Sequence, residues 1–144
     1  MNSILFLCLS TPLLLNTNAI AQDTYLTLNV GSYHANAEKK YNQKNYGLGL
    51  EHHIGDFSLS GGIYYNSSYR TSLYALGGWT PLEVAGVKVG ILAGIANGYP
   101  GMNASGPIFV AAAILSTEYV NVLIIPSNGD KTPLTVGLQI KWRL

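Results

Sequence analysis

Three polar side chains in this sequence are of types that together do nucleophilic chemistry: His34, Ser67 and, beside the serine, Asn66. An imidazole in hydrogen-bond reach can take a serine hydroxyl's proton, and a carboxylate or amide can orient the imidazole. His34 ends the first strand-like segment and Asn66-Ser67 follows the third, so up-and-down strands would bring them to one rim. Polar loops of an ordinary surface contain the same residue types, and that reading stays open at this point. His52-His53 is the only histidine pair, and neighbours on a strand point to opposite faces, which separates them as metal ligands. No metal-ligand spacing, phosphate loop or nucleotide fingerprint occurs, so neither a metal nor another cofactor is expected.

The elements that would position these groups are strands. Eight segments separated by turn chemistry run over Tyr25–Tyr33, Tyr46–Ile54, Phe57–Tyr65, Arg70–Thr80, Val84–Ala96, Ile108–Leu115, Glu118–Ile125 and Leu134–Leu144. Most are close to the roughly 9–11 residues of a tilted strand that crosses a bilayer. Gly55-Asp56, Pro81-Leu82-Glu83 and Ser116-Thr117 read as tight connections, whereas His34–Asn45, Tyr99–Pro107 and Pro126–Pro133 are longer. Alternating short turns and long loops is how bacterial outer-membrane barrels are built, with the short side periplasmic. The last segment alternates most cleanly. Val136, Leu138, Ile140, Trp142 and Leu144 share one face, and Gly137, Gln139, Lys141 and Arg143 the other. Lys, Arg and Gln are assigned to the lumen and the apolar face to lipid. Tyr64, Tyr65 and Tyr69 fall where an outer aromatic belt would lie, Trp79 and Trp142 at the periplasmic one. Strict alternation puts His34 on the face of Leu26, Leu28 and Val30, so a bulge or loop must redirect it.

Composition points the same way. Charged residues make up 10% of the chain, against roughly 25% in soluble proteins, and mean hydropathy is +0.21. No apolar run after the N-terminal segment approaches a membrane helix in length, and a closed sheet is then the way to face lipid with every backbone group paired. Residues 1–21 read as a signal peptide: an apolar core through Leu15 and a small-x-small end, Ala19-Ile20-Ala21. The expected domain is therefore 22–144, an all-β, eight-stranded antiparallel up-and-down transmembrane β-barrel in the outer membrane of a Gram-negative bacterium. The lone Cys8 lies in the leader, leaving no disulfide. A net charge of +1 gives no basic stripe for nucleic acid. A soluble barrel carrying a small apolar ligand is the competing architecture, and the low charge disfavours it.

From Tyr33 to the C-terminus the sequence resembles the PagP-like lipid A palmitoyltransferase family, in the order of short motifs. That family's Trp-His at the end of its first strand is similar to Tyr33-His34, and its Tyr-Asn-Glu to Tyr41-Asn42-Gln43 before Gly47-Leu48-Gly49. Its Asp-Ser matches Asn66-Ser67, its Gly-Trp matches Gly78-Trp79, and its Ile-Pro-Gly matches Ile125-Pro126-Ser127. The resemblance implies acyl transfer from a phospholipid to lipid A, with His34, Asn66 and Ser67 as the catalytic positions. It implies an acyl pocket with Gly78 at its floor and lateral lipid gates near Pro107 and Pro126. It further implies a monomer whose partners are membrane lipids and the outer-membrane insertion machinery. Asn66 stands where the family has its acid, and the alternative is an inert outer-membrane barrel with a structural or surface-modifying role.

Overall fold

The structure, a computed structural model, describes residues 22–104, 106–129 and 132–144; the expected leader, 1–21, lies outside them. The described residues form eight antiparallel strands: β1 (Gln22–His34), β2 (Gly47–Ile54), β3 (Phe57–Tyr65), β4 (Thr71–Val84), β5 (Val87–Ala96), β6 (Ile108–Ser116), β7 (Val120–Ile125) and β8 (Thr135–Arg143). Each pairs with its sequence neighbour and β8 pairs with β1, so the sheet closes into an up-and-down barrel. Closure leaves no free sheet edge. One end, the turn end, carries both termini of the barrel and the connections 55–56, 85–86 and 117–119. The other, the loop end, carries 35–46, 66–70, 97–107 and 126–134.

Side chains alternate as a barrel with an apolar exterior requires. On β6, Phe109, Ala111, Ala113 and Leu115 are exposed, while Ala112, Ile114 and Ser116 are buried in the lumen. Around the outside stand Leu50, Leu59, Ile63, Leu73, Ile91, Ile95 and Leu138, each more than a third exposed. Two charged side chains are buried in the lumen, Lys141 at 2% exposed and Glu51 at 4%, whereas Arg143, also expected there, is exposed at the turn end and pairs with Asp23. This inversion of the water-soluble pattern is the arrangement a lipid-facing barrel needs.

The lumen of the turn-end half is filled by a polar network. Glu51 accepts hydrogen bonds from Lys141 Nζ (3.1 Å) and Asn121 Nδ2 (2.7 Å) and sits 2.5 Å from His53 Nε2. Lys141 also donates to Ser116 Oγ at 2.9 Å and lies 4.6 Å above the Tyr25 ring. Asn121 Nδ2 donates to Gln139 Oε1 (3.1 Å), and Gln139 Nε2 to Asn29 Oδ1 (2.6 Å), completing a span from β2 through β7 and β8 to β1. His52 points outward and pairs with Thr24 Oγ1 at 2.8 Å, so the two histidines do lie on opposite faces.

Two expectations need correction. Pro81-Leu82-Glu83 is not a turn: β4 continues to Val84, and the register slips between Trp79 and Leu82. A proline lacks the ladder N–H and is accommodated at such a bulge. The turn is Ala85-Gly86, both with positive φ (51° and 79°), as a two-residue hairpin of the primed type demands. Tyr64 is not part of an outer belt either. It points into the lumen, where its hydroxyl lies 2.5 Å from that of Tyr99. Tyr65 and Tyr69 do face outward, edge to face, and Trp79 and Trp142 are about half exposed near the turn end.

Candidate functional site

His34 reaches the lumen through a bulge in β1. The β1–β8 register passes from Asn29↔Gln139 to Gly31↔Leu138, leaving Val30 as an extra residue. One inserted residue flips every later side chain to the other face. Beyond it Tyr33 is exposed and His34 is 8% exposed, pointing inward at the loop end. There its Nε2 lies 2.9 Å from Ser67 Oγ. The pair is supported from the β1–β2 connection: the Tyr41 ring stacks on the imidazole with centroids 4.7 Å apart and planes 12° from parallel. Asn42, next in sequence, donates its backbone N–H to Ser67 O (3.0 Å) and its side-chain amide to Asn66 O (3.1 Å).

Asn66 is adjacent to this pair but does not orient it. Fully buried, it donates through Nδ2 to Ser72 Oγ (2.8 Å) and Gly98 O (2.7 Å). Its Oδ1 accepts from the backbone N–H groups of Ser68 (2.8 Å) and Arg70 (3.0 Å). The four bonds tie the β3–β4 loop to itself, to the start of β4 and to the start of the β5–β6 loop. The imidazole Nδ1, which an orienting carboxylate or amide would engage, is buried without a hydrogen-bond partner among the described residues.

Beneath the pair lies a cavity of about 130 Å³ in the loop-end half of the lumen. Ser67, Asn45 and Thr135 border it, and Leu76, Ala96, Val110, Leu123 and Ile125 give it apolar walls. Tyr99 descends from the β5–β6 loop to meet Tyr64 across it. Burial, then the neighbouring Tyr64, holds the Tyr99 phenol well above its usual range, so it remains a neutral hydroxyl. The cavity ends at Leu76 and at the Asn29–Gln139 pair, the loop-end member of the polar network. Gly78 is not in its lining. It lies nearer the turn end, where Leu92 Cδ2 would sit 2.7 Å from a Cβ and Ser58 Oγ also crowds the position.

Pro107 and Pro126 flank the weakest seam of the barrel. The β6–β7 ladder runs only from Ser116↔Asn121 to Ala113↔Ile124, whereas β5–β6 runs from Lys88↔Ser116 to Ala96↔Ile108. Residues 108–112 of β6 are thus unpaired on the β7 side. Pro126, directly after β7, supplies no N–H to extend the ladder. Val110, Leu123 and Ile125 line the cavity behind this gap.

Residue types had signalled His34 and Ser67; Tyr41 and Asn42 entered only as wording of the resemblance, with no role attached, and Asn45 and Tyr99 carried no signal. No protein-family model matches the chain, and no curated protein matches it.

Proposed function

We propose that this barrel resides in a bacterial outer membrane and transfers an acyl chain from a phospholipid to lipid A at its loop-end rim. The observation that carries this reading is the 2.9 Å contact between His34 Nε2 and Ser67 Oγ, directly above a lumen cavity with apolar walls. Ser67 Oγ attacks the donor's ester carbonyl while His34 Nε2 takes its proton. The imidazolium gives that proton to the departing lysophospholipid oxygen; a lipid A hydroxyl then attacks the acyl-serine as His34 takes its proton and passes it to Ser67 Oγ, which leaves as the free hydroxyl. The short β6–β7 ladder between Pro107 and Pro126 supports lateral entry of a chain from the bilayer. An apolar cavity of about 150 Å³ takes one benzene, so 130 Å³ accepts roughly six carbons before Tyr99 or Leu76 must move.

Mass spectrometry of lipid A from cells expressing wild type, Ser67→Ala and His34→Ala tests the reading. An added acyl chain present with wild type and lost in both variants supports it. Unmodified lipid A beside correctly inserted wild type refutes it. The second reading, an inert barrel with a structural or surface-modifying role, is favoured by one observation: Asn66 is committed to the loops and Nδ1 of His34 has no orienting partner.

A further inference from the structure

We infer that Tyr41 is the positioning residue of the His34–Ser67 pair, its ring face setting the imidazole plane that an acid at Nδ1 would otherwise set. The inference rests on the reading of Ser67 as an activated nucleophile. Three observations carry it. The imidazole has one hydrogen bond, through Nε2 to Ser67, and a single bond leaves the ring free to rotate about it. Asn66, the neighbouring candidate for a second bond, spends both its amide and its carbonyl on other groups. What remains to fix the plane is the parallel Tyr41 ring at 4.7 Å.

The stack is itself anchored to the serine. Asn42 N–H on Ser67 O fastens the residue after Tyr41 to the backbone of the nucleophile, and Asn42 Nδ2 bonds Asn66 O in the same loop. Asn42 Oδ1 accepts from Lys44 N–H at 3.0 Å and closes the turn that holds Tyr41 in place. Ring, imidazole and hydroxyl are therefore referenced to one another through two short connections, without a charge. A flat aromatic face is what the position needs, so phenylalanine should serve where leucine should not.

The test is labelling of the detergent-solubilised barrel with a fluorophosphonate. Ser67 Oγ forms a bond to phosphorus, fluoride leaves, and the serine proton passes to His34. Wild type should label at Ser67, Tyr41→Phe at close to the wild-type rate, and Tyr41→Leu on the order of 10²-fold more slowly, the loss typical of a reacting group displaced by about 1 Å. Urea unfolding of each variant separates this from misfolding. A second arm reads the stack directly. Face-on stacking shifts the His34 ring protons upfield in the NMR spectrum; wild type and Tyr41→Phe should share that shift and Tyr41→Leu should lose it. Labelling of Tyr41→Leu at the wild-type rate overturns the positioning role and leaves the nucleophile reading intact. Absence of labelling in wild type overturns the nucleophile reading, and unchanged His34 shifts in Tyr41→Leu then overturn the stack as well.

Discussion

Placing an acid at position 66 should damage the barrel's loop end rather than improve its chemistry. Asn66→Asp keeps the volume and the Oδ1 contacts to Ser68 N–H and Arg70 N–H, and a negative charge strengthens both, by at most about 1 kcal/mol each. The other side of the group decides the sign. Asn66 Nδ2 donates to Gly98 O at 2.7 Å and Ser72 Oγ at 2.8 Å, and Ser72 Oγ already donates to Asn97 O. A carboxylate oxygen there faces a carbonyl that loses its donor, in a site with no exposure. A buried acceptor left unpaired costs about 1–3 kcal/mol, and an uncompensated buried charge about 3–5 kcal/mol. After the offset, the net loss at neutral pH is about 3 kcal/mol. Protonation returns one donor to that oxygen, enough for Gly98 O or Ser72 Oγ but not both, so the folded state binds the proton more tightly than the unfolded chain while one hydrogen bond stays lost. The deficit relative to wild type is then about 1 kcal/mol below about pH 4 and grows by about 1.4 kcal/mol per pH unit above it. The full deficit is reached near pH 6. Urea unfolding in detergent micelles, followed by the fluorescence of Trp79 and Trp142, measures this at pH 4 and pH 8. Equal stability of variant and wild type at pH 8, or an equal deficit at both pH values, refutes the clasp. A gain in acyl transfer by Asn66→Asp refutes the orientation of residue 66 away from His34.

Gly49→Val should destabilise by about 1–3 kcal/mol in the same unfolding assay, because its Cβ would press on the Tyr74 hydroxyl and lie 2.8 Å from both Gly61 O and Thr27 Oγ1. In the lumen network, Glu51→Gln or Lys141→Met alone should cost about 3–5 kcal/mol by stranding the partner, and the double variant less than the sum. A double-mutant cycle with no coupling between the two would show that the pair is not a working contact. Val110→Phe, which fills the cavity wall, should shorten the acyl chain accepted, read by the mass of the chain added to lipid A; an unchanged chain excludes this cavity as the acyl site. Removing Pro126 as Pro126→Ala restores an N–H beside the unpaired half of β6 and should slow acyl transfer without changing chain length.

The barrel was legible in the sequence because two simple signals agree along it. Period-two alternation fixed which residues share a face, and a charge content too low for a soluble domain fixed which face is outside. The bulge in β1 could be anticipated from parity alone, since His34 could not otherwise reach the lumen. Pro81 misled, because a proline marks a turn and a bulge equally well and the true turn, Ala85-Gly86, carries no comparably strong signal. The polar network was half legible. Alternation put Lys141 and Gln139 inside, but their partners Glu51 and Asn121 follow only from the register of strands 90 and 18 residues away.

The role of Asn66 could not be read from the sequence at all, and the structure shows why. What residue 66 touches depends on how the β3–β4 and β5–β6 loops meet above the barrel. That meeting requires a group that donates and accepts at once, which asparagine is and an ionised aspartate is not. Had position 66 been free to face His34, an amide there would read simply as a weakened catalytic acid. Bound as it is on four sides, the amide belongs to the loop clasp that carries Ser67, and the burden of holding the imidazole falls on Tyr41. The two features are therefore coupled. Breaking the clasp at Asn66 should move Ser67 away from His34, whereas breaking the stack at Tyr41 should turn the imidazole in place. The first substitution should disturb stability and labelling together, the second labelling alone.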